Sequence, residues 1–135
     1  MGKQEWDSFD VLEGVLALMG KQTFPASVPA VHNAFHALAE ENGGFKPFLE
    51  GYLFQERTGF FYSEKLQTYL ENMEHVGLLS CVNPDFDAYK ILPKMKTTFN
   101  KHVAPTFTQA EIKTLEAMAR AFKTQVNTEN KVSVA

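Results

Sequence analysis

Apolar residues recur along this chain in two periods, the three-to-four spacing of a half-buried helix and short runs of β type, with Gly or Pro at most changes of period. An Asp7 or Ser8 cap opens a first helix that carries Leu12, Val15, Leu16 and Met19 on one face and stops at Gly20. A second starts after Ser27, where Val28, Val31, Phe35 and Leu38 keep helical spacing, Pro29 fits the first turn and Gly43-Gly44 ends the run. Phe45 to Phe61 commits to neither period: Phe48, Leu49, Tyr52 and Leu53 suit a short helix, whereas Leu53 to Tyr62 also reads as extended. Ser63 caps a third helix with Leu66, Tyr69, Leu70, Met73 and Val76 on its buried face, and Gly77 terminates it. Two short strands follow, 78–82 and 88–92, with Asn83-Pro84-Asp85 supplying turn chemistry between them. Pro93 to Val103 returns to helical spacing through Met95, Phe99 and Val103 and closes at Pro105. Thr108-Gln109-Ala110-Glu111 is a capping box for a last helix with Ile112, Leu115, Ala119, Phe122 and Val126 in one stripe.

These elements predict an α+β fold, mostly helical: a winged-helix-like domain over residues 1–126 with a two-stranded β-wing and an additional C-terminal helix, then a flexible polar tail over 127–135. The run Tyr62-Ser63-Glu64-Lys65-Leu66 together with His75-Val76-Gly77-Leu78-Leu79 resembles the helix and first wing strand of the winged-helix superfamily. Tyr89-Lys90-Ile91-Leu92-Pro93-Lys94 is similar to the second wing strand leading into the next helix of bacterial regulators. With an aromatic segment ahead of the Tyr-Ser cap, the chain from Ser27 to Phe122 resembles bacterial and phage winged-helix families of the Panacea antitoxin type. The resemblance implies a fold and a regulatory context, and it carries over no catalytic residue.

Composition narrows this further. With 135 residues and 44% apolar content, one core suffices, and twelve Phe supply much of it. No apolar run approaches the roughly 20 residues of a membrane span, and the first residues lack an apolar leader core, so a cytoplasmic protein with no membrane contact is expected. Cys81 is the only cysteine, which excludes an internal disulfide and a multi-cysteine metal site. The net charge of −3 hides an asymmetry: residues 1–89 carry thirteen acids and five bases, residues 90–135 three acids and eight bases.

Three classes of function compete. A DNA-binding regulator would place the 63–76 helix in the major groove and the 90–101 segment on phosphates, with Lys65, Gln67, Thr68, Asn72, Lys90, Lys94, Lys96 and Lys101 as contacts. Glu64, Glu71 and Glu74 on that helix, and Asp85 and Asp87 at the wing tip, oppose it by repelling a polyanion. A protein-interaction module fits better: Phe45, Phe48, Tyr52, Phe54, Phe60, Phe61 and Tyr62 are many for one short segment to bury, and the 109–126 helix offers a stripe for a homodimer. An enzyme fits least. His32, His36 and Glu40 share one side of the second helix, but the Glu of His-Glu-x-x-His is missing, no nucleophile motif or phosphate-cradling loop occurs, and no cofactor or metal is expected. The expectation is therefore a non-catalytic regulatory or adaptor module with a protein partner.

Overall fold

A computed structural model describes residues 7–20, 23–41, 44–82 and 88–134. Along them run α1 (Ser8–Ala17), β1 (Thr23–Pro25), α2 (Val28–Glu41), α3 (Lys46–Leu49), β2 (Gln55–Arg57) and β3 (Phe60–Tyr62). Then follow α4 (Glu64–His75), β4 (Leu79–Val82), β5 (Ala88–Ile91), α5 (Pro93–Thr98) and α6 (Gln109–Val134), with a π-helical turn Phe99–Val103 and a 3-10 turn Ala104–Thr106 joining the last two helices. The class is α+β and mostly helical, with two small antiparallel sheets. In the larger sheet β5 lies between β1 and β4; the smaller is the β2–β3 hairpin.

Helix ends follow local chemistry. The Asp7 carboxylate accepts the amide of Phe9 at 2.8 Å at the start of α1. At α6 the capping box is reciprocal: the Thr108 amide donates to Glu111 Oε1 at 2.8 Å and the Glu111 amide to Thr108 Oγ1 at 3.1 Å. At the other end of α4, Gly77 takes φ +86°, its amide donates to the Glu74 carbonyl at 3.3 Å and that of Leu78 reaches back to the Met73 carbonyl at 2.8 Å. That double closure is a Schellman stop, and it needs the left-handed residue that glycine supplies.

Several boundaries move. α1 ends at Ala17, with Leu18 as its cap, so Met19 is buried beyond the helix rather than on its face. β1, three residues between two helices, was not legible in the hydrophobic pattern, because a strand that short shows barely one alternation. Leu92 leaves β5 to cap α5, its amide donating to the Leu78 carbonyl at 3.0 Å. Pro105 does not close α5; it lies inside the 3-10 turn after the helix has widened into π geometry. The helix expected to give way to a tail at residue 127 continues to Val134, with Asn127 Nδ2 bonded to the Lys123 carbonyl at 2.8 Å and Thr128 Oγ1 to that of Thr124 at 3.1 Å. Polar side chains that fold back onto their own helix do not end it. The turn Asn83-Pro84-Asp85, Asp87 and Gly43 lie outside the described residues.

A series of edge-on and tilted ring contacts runs through the core. Tyr89 contacts Phe24 across the β5–β1 register at 5.3 Å between centroids, Phe24 meets Phe122 at 5.7 Å, and Phe122 meets Phe35 at 4.6 Å. The series continues through Tyr52 and Tyr69 to Phe9 on α1, at 6.5, 6.1 and 5.1 Å. Sheet, α6, α2, α4 and α1 are thus tied by one series of aromatic contacts. α6 lies along α2 and α1, and Gly14 lets it approach: a Cβ there would stand 3.0 Å from both Leu115 Cδ1 and Phe99 Cε1. No helix among the described residues is long and apolar enough to cross a membrane.

Candidate functional site

The proposed DNA-contact residues are placed unevenly. Lys65, Thr68 and Asn72 are exposed and follow one another at helical spacing along α4, but Glu64, Glu71 and His75 are exposed beside them. Gln67 is not free to read a base edge, because its Oε1 meets His32 Nε2 at 3.0 Å and its Nε2 donates to Glu71 Oε2 at 3.2 Å. Lys94 donates to the Val76 carbonyl at 3.0 Å, where a cation satisfies the C-terminal end of α4. Lys90 on β5, Lys96 on α5 and Lys101 on the π-helical turn are exposed. Residues 88–110 contain no acid.

His32, His36 and Glu40 do not form a metal row. His32 is fully buried: its Nδ1 accepts the Ser63 amide at 3.0 Å, which puts the ring proton on Nε2 facing Gln67. Its ring lies flat on Tyr62, 4.7 Å between centroids and 4° between planes. Burial, more than the proximity of Arg57, holds its pKa below the ordinary histidine value, while the Gln67 bond acts the other way. His32 therefore docks α2 against the N-terminus of α4, where Ser63 Oγ in turn accepts the Leu66 amide at 3.2 Å. Among the described residues no three His, Cys, Asp or Glu side chains converge as metal ligands.

The aromatic segment divides in two. Phe45, Phe48 and Tyr52 enter the core, and the Tyr52 hydroxyl donates to the Ser8 carbonyl at 2.5 Å. Phe54, Phe60, Phe61 and Tyr62 stay half-buried on the β2–β3 hairpin and its approach, and Leu53 is 78% exposed. The hairpin turns on Thr58-Gly59, with Gly59 at φ +83°, and the Phe61 amide donates to Asn33 Oδ1 at 2.9 Å, which ties it to α2. His36 is the centre of this surface. Its ring stacks on Phe61 at 3.7 Å and 9°, meets Phe54 edge-on at 5.3 Å, and has Glu40 Oε2 4.0 Å from Nε2.

A cleft opens on either side of that imidazole. One, of about 310 Å³, is lined by Asn33, His36, Glu56, Phe60 and Phe61. The other, of about 340 Å³, is lined by His36, Glu40, Lys46, Glu50, Leu53 and Phe54. On β2, Arg57 holds its guanidinium 4.1 Å above the Tyr62 ring. Sequence reasoning named the rings but not the hairpin; the Thr58-Gly59 pair ahead of Phe60-Phe61-Tyr62 was the signal for it.

No protein-family model, curated protein or solved structure matches this chain. The arrangement offers stacked rings, carboxylates and an exposed leucine, with no nucleophile beside a base among these side chains.

Proposed function

We propose that this protein is a non-catalytic regulatory or adaptor module that acts through protein contacts on a winged-helix scaffold. The order α1-β1-α2, then α4-β4-β5 with β5 central, supports the scaffold; α3 and the β2–β3 hairpin would be an insertion between its second and third helices. The observation that carries the protein-contact reading is the exposed face of α4, which would have to enter a DNA groove yet presents Glu64 and Glu71 with Lys65 as its only Lys or Arg. The aromatic surface around His36, with Leu53 at its edge, supplies the alternative contact surface.

A photo-crosslinking residue placed at Leu53 tests this, with one at Lys96 as the comparison. A discrete protein adduct from Leu53 and none from Lys96 is expected; adducts from neither position would overturn the proposal. DNA binding is the second reading, favoured by the acid-free stretch with exposed Lys90, Lys96 and Lys101. Fluorescence anisotropy on mixed duplex DNA decides it: salt-sensitive binding that disappears in a Lys96→Glu, Lys101→Glu variant would replace the first reading, and no binding at low salt is the outcome expected here.

A further inference from the structure

We propose that the two clefts flanking His36 receive arginine side chains from an extended segment of a partner protein. The inference rests on the protein-contact reading and names the chemistry of its partner. Each cleft joins an aromatic ring to a carboxylate, the combination that takes a planar cation: Phe60, Phe61 and Glu56 on one side, Phe54 with Glu40 and Glu50 on the other. Among the described residues the first cleft has no Lys or Arg in its wall, and the second sets one lysine, Lys46, against two carboxylates, Glu40 and Glu50, so both keep an excess of negative charge. The hairpin already shows the affinity of its rings for guanidinium, because Arg57 occupies the Tyr62 face at 4.1 Å. A second and a third guanidinium would repeat that contact on the rings still half open.

A peptide suits the site better than a free cation for two reasons. Among the described residues β2 pairs only with β3, and Gln55, Glu56 and Arg57 are all exposed, so an extended strand has an edge beside which to lie. Alternate side chains of such a strand point to one face, so arginines two residues apart are directed to the same side, and Leu53, 78% exposed at the rim of the second cleft, gives the apolar stem of an arginine something to cover.

Amide chemical-shift perturbation in the full chain tests this, using the peptide acetyl-Gly-Ser-Arg-Gly-Arg-Ser-Gly-amide, the same peptide with both arginines replaced by glutamine, and spermidine. The arginine peptide should shift Gly59, Phe60 and Phe61 together with Leu53 and Phe54 and saturate, and the glutamine peptide should not. Glu56→Gln, an exposed change, should weaken binding about tenfold, as for the loss of one charge-assisted contact, while leaving the remaining spectrum in place. Equal responses to both peptides, equal binding of spermidine, or shifts confined to α4 would overturn the proposal. If no arginine peptide binds but the Leu53 crosslinker still captures a protein, the cation assignment falls and the protein-contact reading stands; failure of both removes the two together.

Discussion

Two buried side chains make the stability of this molecule depend on pH, in opposite directions. Glu13 is 2% exposed on α1 and its Oε2 has no hydrogen-bond partner among the described residues; burial first, and the Asp10 carboxylate second, push its pKa up to about 7. A carboxyl whose folded-state pKa lies above its unfolded value stabilises the fold in full below the ordinary value near 4.5, and that contribution is lost as pH rises toward 7. His32 has the reverse sign. Its folded-state pKa is depressed, so below about 6.5 the unfolded chain takes the proton first and stability drops on acidification. Urea unfolding of the parent chain should therefore vary less with pH than that of a variant lacking either group, because the two slopes oppose each other. Glu13→Gln should add ~2 kcal/mol at pH 8, add little at pH 5, and expose the loss on acidification caused by His32. His32→Asn keeps an acceptor for the Ser63 amide and removes the titration, so it should expose the opposite slope, stability falling from pH 5 to 7. Parallel profiles for all three proteins would show that neither group titrates between the two states.

At the scale of elements, α1 meets the α3–β2 connection at a contact with no room for a side chain. A Cβ on Gly51 would collide with Ser8 Oγ, and the neighbouring Tyr52 hydroxyl fixes the distance by bonding the Ser8 carbonyl. Gly51→Ala should cost ~1–3 kcal/mol in urea unfolding, and Ser8→Ala in the same chain should return part of that, since removing Oγ clears the nearest atom. Additive losses in the double variant would mean that the backbones, not the hydroxyl, set the approach. Close approaches of this kind leave no trace in the periodicity, whereas helix ends do. Asp7, Ser63, Gly77 and Thr108-x-x-Glu111 were legible because a cap is a local reaction between neighbours in sequence. The β2–β3 hairpin was readable in principle from Thr58-Gly59, but its strands have three residues each and every β2 residue is exposed, so no alternation marked them. His32 looked like a member of a metal row because spacing records which side chains share a helix face; the Ser63 amide that takes its Nδ1 is 31 residues away. Of the α6 stripe, Leu115, Ala119, Phe122 and Val126 are buried against the rest of the same chain and Ile112 is half-buried, so most of that stripe is spent within the domain.

Across the whole molecule the ring series divides the chain into a part that must open together and a part that need not. Phe122 touches Phe24 at the sheet and Phe35 on α2, so loosening it is felt by β1, α2 and α6 at once. The hairpin has a different attachment: its ties to α2 include the Phe61 amide on Asn33 and the stacks of His32 on Tyr62 and His36 on Phe61. Exposed β2 residues and half-buried β3 residues give the hairpin little buried area of its own, so it should open locally at a free energy below that of global unfolding. Phe122→Leu separates the two. It removes part of the ring contact at a cost of ~1–2 kcal/mol, and native-state amide exchange at β5 and in α6 should accelerate about 5- to 30-fold, because those amides exchange through global opening. The Phe61 amide should keep its parent rate, since its opening leaves the core intact. Acceleration of Phe61 by the same factor would show that the hairpin opens only with the core. Its clefts would then be fixed features, and a partner strand lying along β2 would have to fit them as they stand.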